Sequence, residues 1–162
     1  MAHIVYRKAD IGDAGELSKL RGNDLNERTF WENRIAGYLR GEHNPQKALK
    51  ERVIFLAEDN GAVVGFVAGH LTQRYDCDGE LQWIDVLPPY RRNAIASQML
   101  RLLAEWFTKM NAVRVCVDVS PENVAGQGFY RKHRAQDLNR HWLVWPDIRV
   151  VTKRLTFPSL PV

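Results

Sequence analysis

The apolar positions of this chain change their spacing as it runs. Ile4-Val5-Tyr6-Arg7 reads as a short opening strand, and the carboxylates of the Asp10–Asp13 stretch can cap a helix start. Leu17 and Leu20 then mark a first helix, and Phe30, Trp31, Ile35, Tyr38 and Leu39 a second, with the polar loop Arg21 to Arg28 between them. The second helix ends by Gly41 and before Pro45. Val53 to Glu58 is an apolar strand, Asp59-Asn60-Gly61 a tight hairpin turn, and Ala62 to Leu71 the returning strand. Gln73 to Gly79 is polar and reads as a mobile loop. In the next strand, Glu80 to Val86, strict alternation puts Glu80, Gln82, Ile84 and Val86 on one face and Asp85 on the other. Helical spacing returns at Ile95, Met99, Leu102, Leu103, Trp106 and Phe107, within a helix over Arg92 to Met110 that stops near Asn111. Val113 to Val119 alternates as a half-buried strand, and Ser120-Pro121-Glu122-Asn123 opens another helix. Leu138 to Trp145 reads as one strand halted by Pro146, Ile148 to Leu155 as a last strand, and Phe157 to Pro161 as a tail.

The chemistry gathers where the strand ending at Val86 and Leu87 turns into the long helix. Pro88 and Pro89 end the strand, because proline cannot donate to a sheet ladder. Arg91, Arg92, Asn93, Ala94, Ile95, Ala96 and Ser97 follow as a basic turn of mostly small residues. The first amides of a helix have no partner inside it, and the helix dipole adds positive potential there. Small side chains let an anion approach that backbone, and two arginines add charge. Strand, basic turn and helix together suit a phosphate group; taken alone they equally describe a solvated helix start.

Composition narrows the field without choosing within it. The chain has 162 residues, 45% of them hydrophobic and 26% charged, which suits one globular domain over 1–162. A net charge of +4 suits an anionic small molecule and does not require nucleic acid; the basic residues are scattered and no nucleic-acid-reading motif is present. Cys77 and Cys116 supply neither a disulfide framework nor metal-ligand spacing, and read as reduced, cytoplasmic thiols. No apolar run approaches membrane-spanning length, and no leader-like apolar core follows Met1.

The stretch Arg91-Arg92-Asn93-Ala94-Ile95-Ala96, after a strand ending Val86-Leu87-Pro88, resembles the acyl-CoA-binding motif Gln/Arg-x-x-Gly-x-Gly/Ala of the GNAT superfamily of N-acetyltransferases. A second signature follows in Val119, Asn123, Gly126 and Tyr130. Asn123 and Tyr130 are seven residues apart, two helical turns, and so share a face. The resemblance implies an α/β (α+β) fold: a mixed, mostly antiparallel sheet of six to seven strands flanked by helices, with one strand pair splayed at the cofactor. It implies acetyl-CoA as donor, its pyrophosphate on Arg91 to Ser97, its thioester arm along the backbone of Val86 and Leu87, and Asn123 and Tyr130 beside it. Two departures stand out: Ala94 replaces a glycine, and Arg134-Ala135 replaces a Gly-Phe pair after the last helix.

What the resemblance implies about mechanism is direct acetyl transfer to a primary amine, on a small molecule or a peptide, with no metal. An ammonium group must lose a proton before it attacks. Glu80, six residues before Val86, matches the family's base position, and Asp85 ranks behind it on the opposite face. Backbone N–H near Val86 or Leu87 would polarise the thioester carbonyl, and Tyr130 would protonate the departing thiolate. Read without the family, Glu80 is a strand-end carboxylate and Tyr130 a core tyrosine. Trp31, Arg34, Tyr38, the Gln73–Gly79 loop and Trp142 or Trp145 would line the acceptor pocket. A homodimer through the C-terminal strands fits the pattern. The competing reading is a non-catalytic acyl-CoA-binding or interaction domain of the same fold.

Overall fold

The computed structural model describes residues 3–153. Seven strands form one sheet: β1 (Ile4–Lys8), β2 (Ala48–Asp59), β3 (Ala62–Thr72), β4 (Gly79–Val86), β5 (Val115–Asp118), β6 (Gln136–Asn139) and β7 (Trp142–Trp145). Their order is β1-β2-β3-β4-β5-β7-β6, and every neighbouring pair is antiparallel except β4 with β5. Four helices cover the sheet: α1 (Ala14–Arg21), α2 (Leu25–Arg40), α3 (Ile95–Lys109) and α4 (Val124–Lys132).

The two faces carry separate cores. Leu17, Ile35 and Tyr38 of α1 and α2 pack on Ile54, Leu56, Phe66, Ala68 and Trp83. On the other face Ile95, Met99, Leu100, Leu103 and Phe107 of α3 meet Val53, Val67, Leu81, Val115 and Val117. The spacing of those α3 residues is a helical stripe, as the sequence predicts. The predicted hairpin is also present, with Asn60 and Gly61 at φ 49° and 83° between paired Asp59 and Ala62; a two-residue turn of that kind needs positive φ at both positions.

Several boundaries differ from the sequence expectation, each for a local reason. α2 begins at Leu25, because the Asp24 carboxylate accepts from the Glu27 N–H at 2.8 Å and the Glu27 carboxylate from the Asn23 N–H at 2.6 Å. The expected loop therefore shrinks to Gly22–Asp24. Leu138 to Trp145 is not one strand but the hairpin β6–β7, with the Asn139 side chain accepting from the His141 N–H at 3.1 Å inside the turn. The Ile148–Val151 stretch forms a 3-10 turn, capped by Asp147, rather than a strand. Arg154 and Leu155 of that expected strand and the tail from Phe157 to Pro161 lie outside the described residues. The Gln73–Gly79 connection is tied down rather than loose: Thr72 N–H donates to Asp78 C=O, and the Asp78 carboxylate accepts from the N–H groups of Val113 and Arg114.

The largest correction concerns β4. His70 pairs with Glu80 and Gly69 with Leu81, yet Ala68 pairs with Trp83, so Gln82 is an extra residue in the ladder. A bulge of this kind shifts the alternation by one. Leu81, Ile84 and Val86 therefore face α3, while Glu80, Trp83 and Asp85 share the face covered by α1 and α2. The two candidate carboxylates lie on the same side of the sheet, not on opposite sides.

Candidate active site

The strand pair at the centre of the sheet opens. β4 and β5 are paired only from Gly79 to Leu81, although β4 continues to Val86 and β5 to Asp118. Within the opening, the Leu87 N–H is already committed to the Val64 C=O at 2.9 Å. Because ladder groups alternate in direction, the amide of Val86 faces away from β3 and into the gap. That singles out Val86 over Leu87 as a backbone donor at this level. The Val86 C=O accepts from the Arg91 guanidinium at 3.1 Å, which ties the basic turn to the strand end.

The start of α3 is open. Its N-cap residue is Ala94, and no side chain caps the first amides. Arg92 and Ala94 both have positive φ, 68° and 62°. Such left-handed residues alternating with ordinary ones turn successive N–H groups toward one point, a concavity that suits an anion. Arg91, Arg92, Asn93 and Ala94 are exposed and Ala96 and Ser97 half-buried, whereas the Ile95 side chain is buried in the core, leaving only its backbone available. Ala94 thus adopts the conformation for which a glycine is suited, and pays for its methyl group in strain. Arg134 does the same after α4, at φ 75°, so that helix ends as a glycine would end it.

A cavity of about 420 Å³ joins these parts, lined by Ile84, Asp85 and Val86 of β4, Ala96 of α3, the α4 cap Asn123 and Tyr130 of α4 among others. Asn123 and Tyr130 therefore do share a face, as their spacing predicts. The Asn123 side chain accepts from the Gly126 N–H at 2.9 Å and so starts the helix that carries Tyr130. Tyr130 is 6% exposed. Burial, and next the Asp85 carboxylate, push its phenol well above the ordinary value despite the opposing Arg21 charge, so it stays protonated at neutral pH. A larger cleft of about 570 Å³ lies on the outer side of α3 between Arg101, Lys132 and Arg134, and contains no residue of the gap.

On the α1 and α2 side, Asp85 is paired with Arg21 at 2.6 Å, and the Arg21 guanidinium lies over Trp31 at 4.3 Å. Burial holds the Asp85 carboxyl above its usual range, with Arg21 opposing. Glu80 is 3% exposed and does not line the cavity; its Oε1 has no hydrogen bond. Tyr38, expected to face substrate, is fully buried and packs on Trp83. Trp145 is buried against Tyr130 in the α3 core, whereas Trp142 lies beside Tyr75 and under the Arg74 guanidinium. Neither of the two lines the cavity beside Tyr130. Cys77 and Cys116 are free and buried next to Trp142. Among the described residues no cluster of His, Cys, Asp or Glu is placed to hold a metal, and no helix is long and apolar enough to cross a membrane. The sequence reading passed over Arg21 and His70; an arginine at a helix end and one histidine in an apolar strand carry no spacing signal that would have marked them.

Comparison with known proteins agrees with this geometry. The model of the acetyltransferase (GNAT) family matches residues 23–134. The chain is similar to the aminoglycoside N(6')-acetyltransferase type 1 of Salmonella typhimurium, 30% identical over 79 residues, 45% of this chain and 54% of that protein. It thus spans about half the length of the curated relatives it matches. Among solved structures, an aminoglycoside N-acetyltransferase in complex with CoA superposes with a TM-score of 0.66 at 20% identity, covering 86% of this chain and 92% of that one. The PaiA N-acetyltransferase of Thermoplasma acidophilum in complex with coenzyme A gives 0.65 at 14% identity, covering 88% and 98%. Likenesses at such identity speak for the fold.

Proposed function

Since the chain belongs to the acetyltransferase (GNAT) family, we propose that it moves an acetyl group from acetyl-CoA directly to a primary amine. The observation that carries this reading is the uncapped start of α3 opening beside a gap in the sheet, with Tyr130 on the gap's wall. The pyrophosphate of the donor sits on the amides of Arg92 to Ser97, helped by Arg91 and Arg92. Its thioester arm lies along Val86, whose N–H polarises the carbonyl.

The amine enters from the α1 and α2 side. Of the two carboxylates there, Asp85 is engaged by Arg21, while Glu80 Oε1 is unpartnered. Glu80 is therefore the base, acting through a water because it does not line the cavity. The amine nitrogen attacks the thioester carbon, the C–S bond breaks, the Tyr130 phenol gives its proton to the thiolate, and the second proton shed by the nitrogen as it becomes an amide restores the phenol through water. The likeness to aminoglycoside acetyltransferases favours a small-molecule amine over a peptide as acceptor.

Thiol release from acetyl-CoA, measured against a panel of small amines, tests the proposal. Tyr130→Phe should lower kcat by about 10²- to 10⁴-fold while leaving CoA binding intact. Tight acetyl-CoA binding with no thiol release for any amine would favour the non-catalytic acyl-CoA-binding domain instead.

A further inference from the structure

His70 has no part in the site as described, yet its surroundings are unusual. It lies in β3 directly across from Glu80 in β4, and both are buried, at 0% and 3% exposure. On one side of the ring, Nδ1 is 2.8 Å from the Tyr38 hydroxyl. On the other, Nε2 faces Glu80 Oε1 at 3.7 Å, and neither of these two atoms has a hydrogen-bond partner. A buried polar atom without a partner costs about 1–3 kcal/mol and is uncommon. Here two of them face each other across one rung of the sheet.

The chemistry of the ring links these facts. A phenol ordinarily donates its proton, and burial keeps that of Tyr38 in place at neutral pH. If Tyr38 donates to Nδ1, the neutral imidazole must carry its own proton on Nε2. That is the nitrogen turned toward Glu80. The spacing of 3.7 Å is longer than a hydrogen bond.

We propose that His70, oriented by Tyr38, is a positioning residue that directs its Nε2–H at the Glu80 carboxylate and so aims the second oxygen at the water that relays the amine's proton. No bond is made or broken at His70; the amine's proton passes to Glu80 and then to solvent. This inference rests on Glu80 being the base. Other groups also face that carboxylate. Arg74, in the turn after β3, is 3.8 Å away, but its guanidinium is held over Trp142. Cys116 and Asp118 approach from β5, and Arg52 acts at one remove by lying over the Tyr38 ring at 4.9 Å.

Four variants and one spectroscopic measurement test it. His70→Leu should lower kcat about tenfold or more with the acceptor KM little changed. Its acid limb of kcat/KM should move upward by roughly half a unit to one unit, because a donor to the charged carboxylate has gone. His70→Gln keeps an N–H near the Nε2 position and should recover most of the loss, and Tyr38→Phe should shift the limb in the same direction by less. Nitrogen NMR of the intact protein should report the Nε2–H tautomer for His70 at neutral pH. An Nδ1–H tautomer, a His70→Gln variant as poor as His70→Leu, or a pH limb unmoved in His70→Leu would overturn the assignment. Glu80→Gln separates the two levels. If it retains full kcat, the base reading itself falls; if it loses kcat while His70→Leu keeps its pH limb, only the role of His70 falls.

Discussion

Replacing Ala94 by glycine isolates the strain in the basic turn from everything else in the site. Ala94 sits at φ 62° and ψ 10°, on the exposed N-cap of α3, with no side-chain cap beside it. An L-residue in that region costs about 1–2 kcal/mol relative to its ordinary conformations. Glycine removes that cost but adds freedom to the unfolded chain, worth about 0.4–1 kcal/mol in the opposite direction. The net effect of Ala94→Gly is a stabilisation between roughly zero and 1.5 kcal/mol, or a rise in Tm of about 0–6 °C for a chain of this size. Ala94→Val should lose about 1–3 kcal/mol, because a β-branched residue tolerates positive φ worse still. Scanning calorimetry of the three proteins without CoA measures this directly, and calorimetric titration with CoA should show no weakening for Ala94→Gly. A fall in Tm of several degrees for Ala94→Gly would refute the reasoning, since it would mean that the methyl group stabilises the turn.

Gly79→Ala should cost about 1–3 kcal/mol in denaturant unfolding, because its Cβ would press on the edge of the Phe107 ring of α3; a neutral result would contradict that close approach. Removing Arg21 by Arg21→Met leaves Asp85 half-buried and unpaired, at a cost of about 1–3 kcal/mol at neutral pH. Since burial already raises the Asp85 carboxyl, the cost should shrink as pH falls and the group protonates, and a pH-independent loss would argue against it. His133 bonds Ser97 at 2.9 Å, and burial, then Arg101 and Lys132, hold its imidazole below the ordinary 6.5. The unfolded chain therefore takes up a proton first, so stability should drop as pH falls below about 6.5, and His133→Gln should flatten that slope in thermal melts.

Legibility in the sequence followed how local each cause was. The α3 stripe, the Asn60-Gly61 turn and the Asn123–Tyr130 spacing each express a rule that acts within a few residues, and all three appear in the fold. So does the Asp24 cap that starts α2, a local signal of the same kind. The bulge at Gln82 has no such marker. It arises from the register between β3 and β4, and no alternation pattern within β4 alone reports it. The β6–β7 hairpin escaped for a related reason: Arg140 and His141 are not turn-forming residues by composition, and Trp142 to Trp145 are buried on both faces, which hides the period of two. His70 gains its meaning from Tyr38, 32 positions away, and from Glu80 on the next strand, and Arg21 from Asp85, 64 positions away.

The single surplus residue at Gln82 divides β4 into two lengths of opposite phase. Upstream, the strand hands Glu80 to the helices of the amino-terminal half; downstream, it lends bare peptide groups to the gap beside α3. Pairing Gln82 as an ordinary rung would carry Asp85 across to α3 and swing Ile84 and Val86 under Trp31, whereas deleting it would leave Leu81 and Trp83 opposite Gly69 and Ala68 and every face in place. A slip of one rung, with no residue changed, would thus exchange the wet and dry sides of the opening.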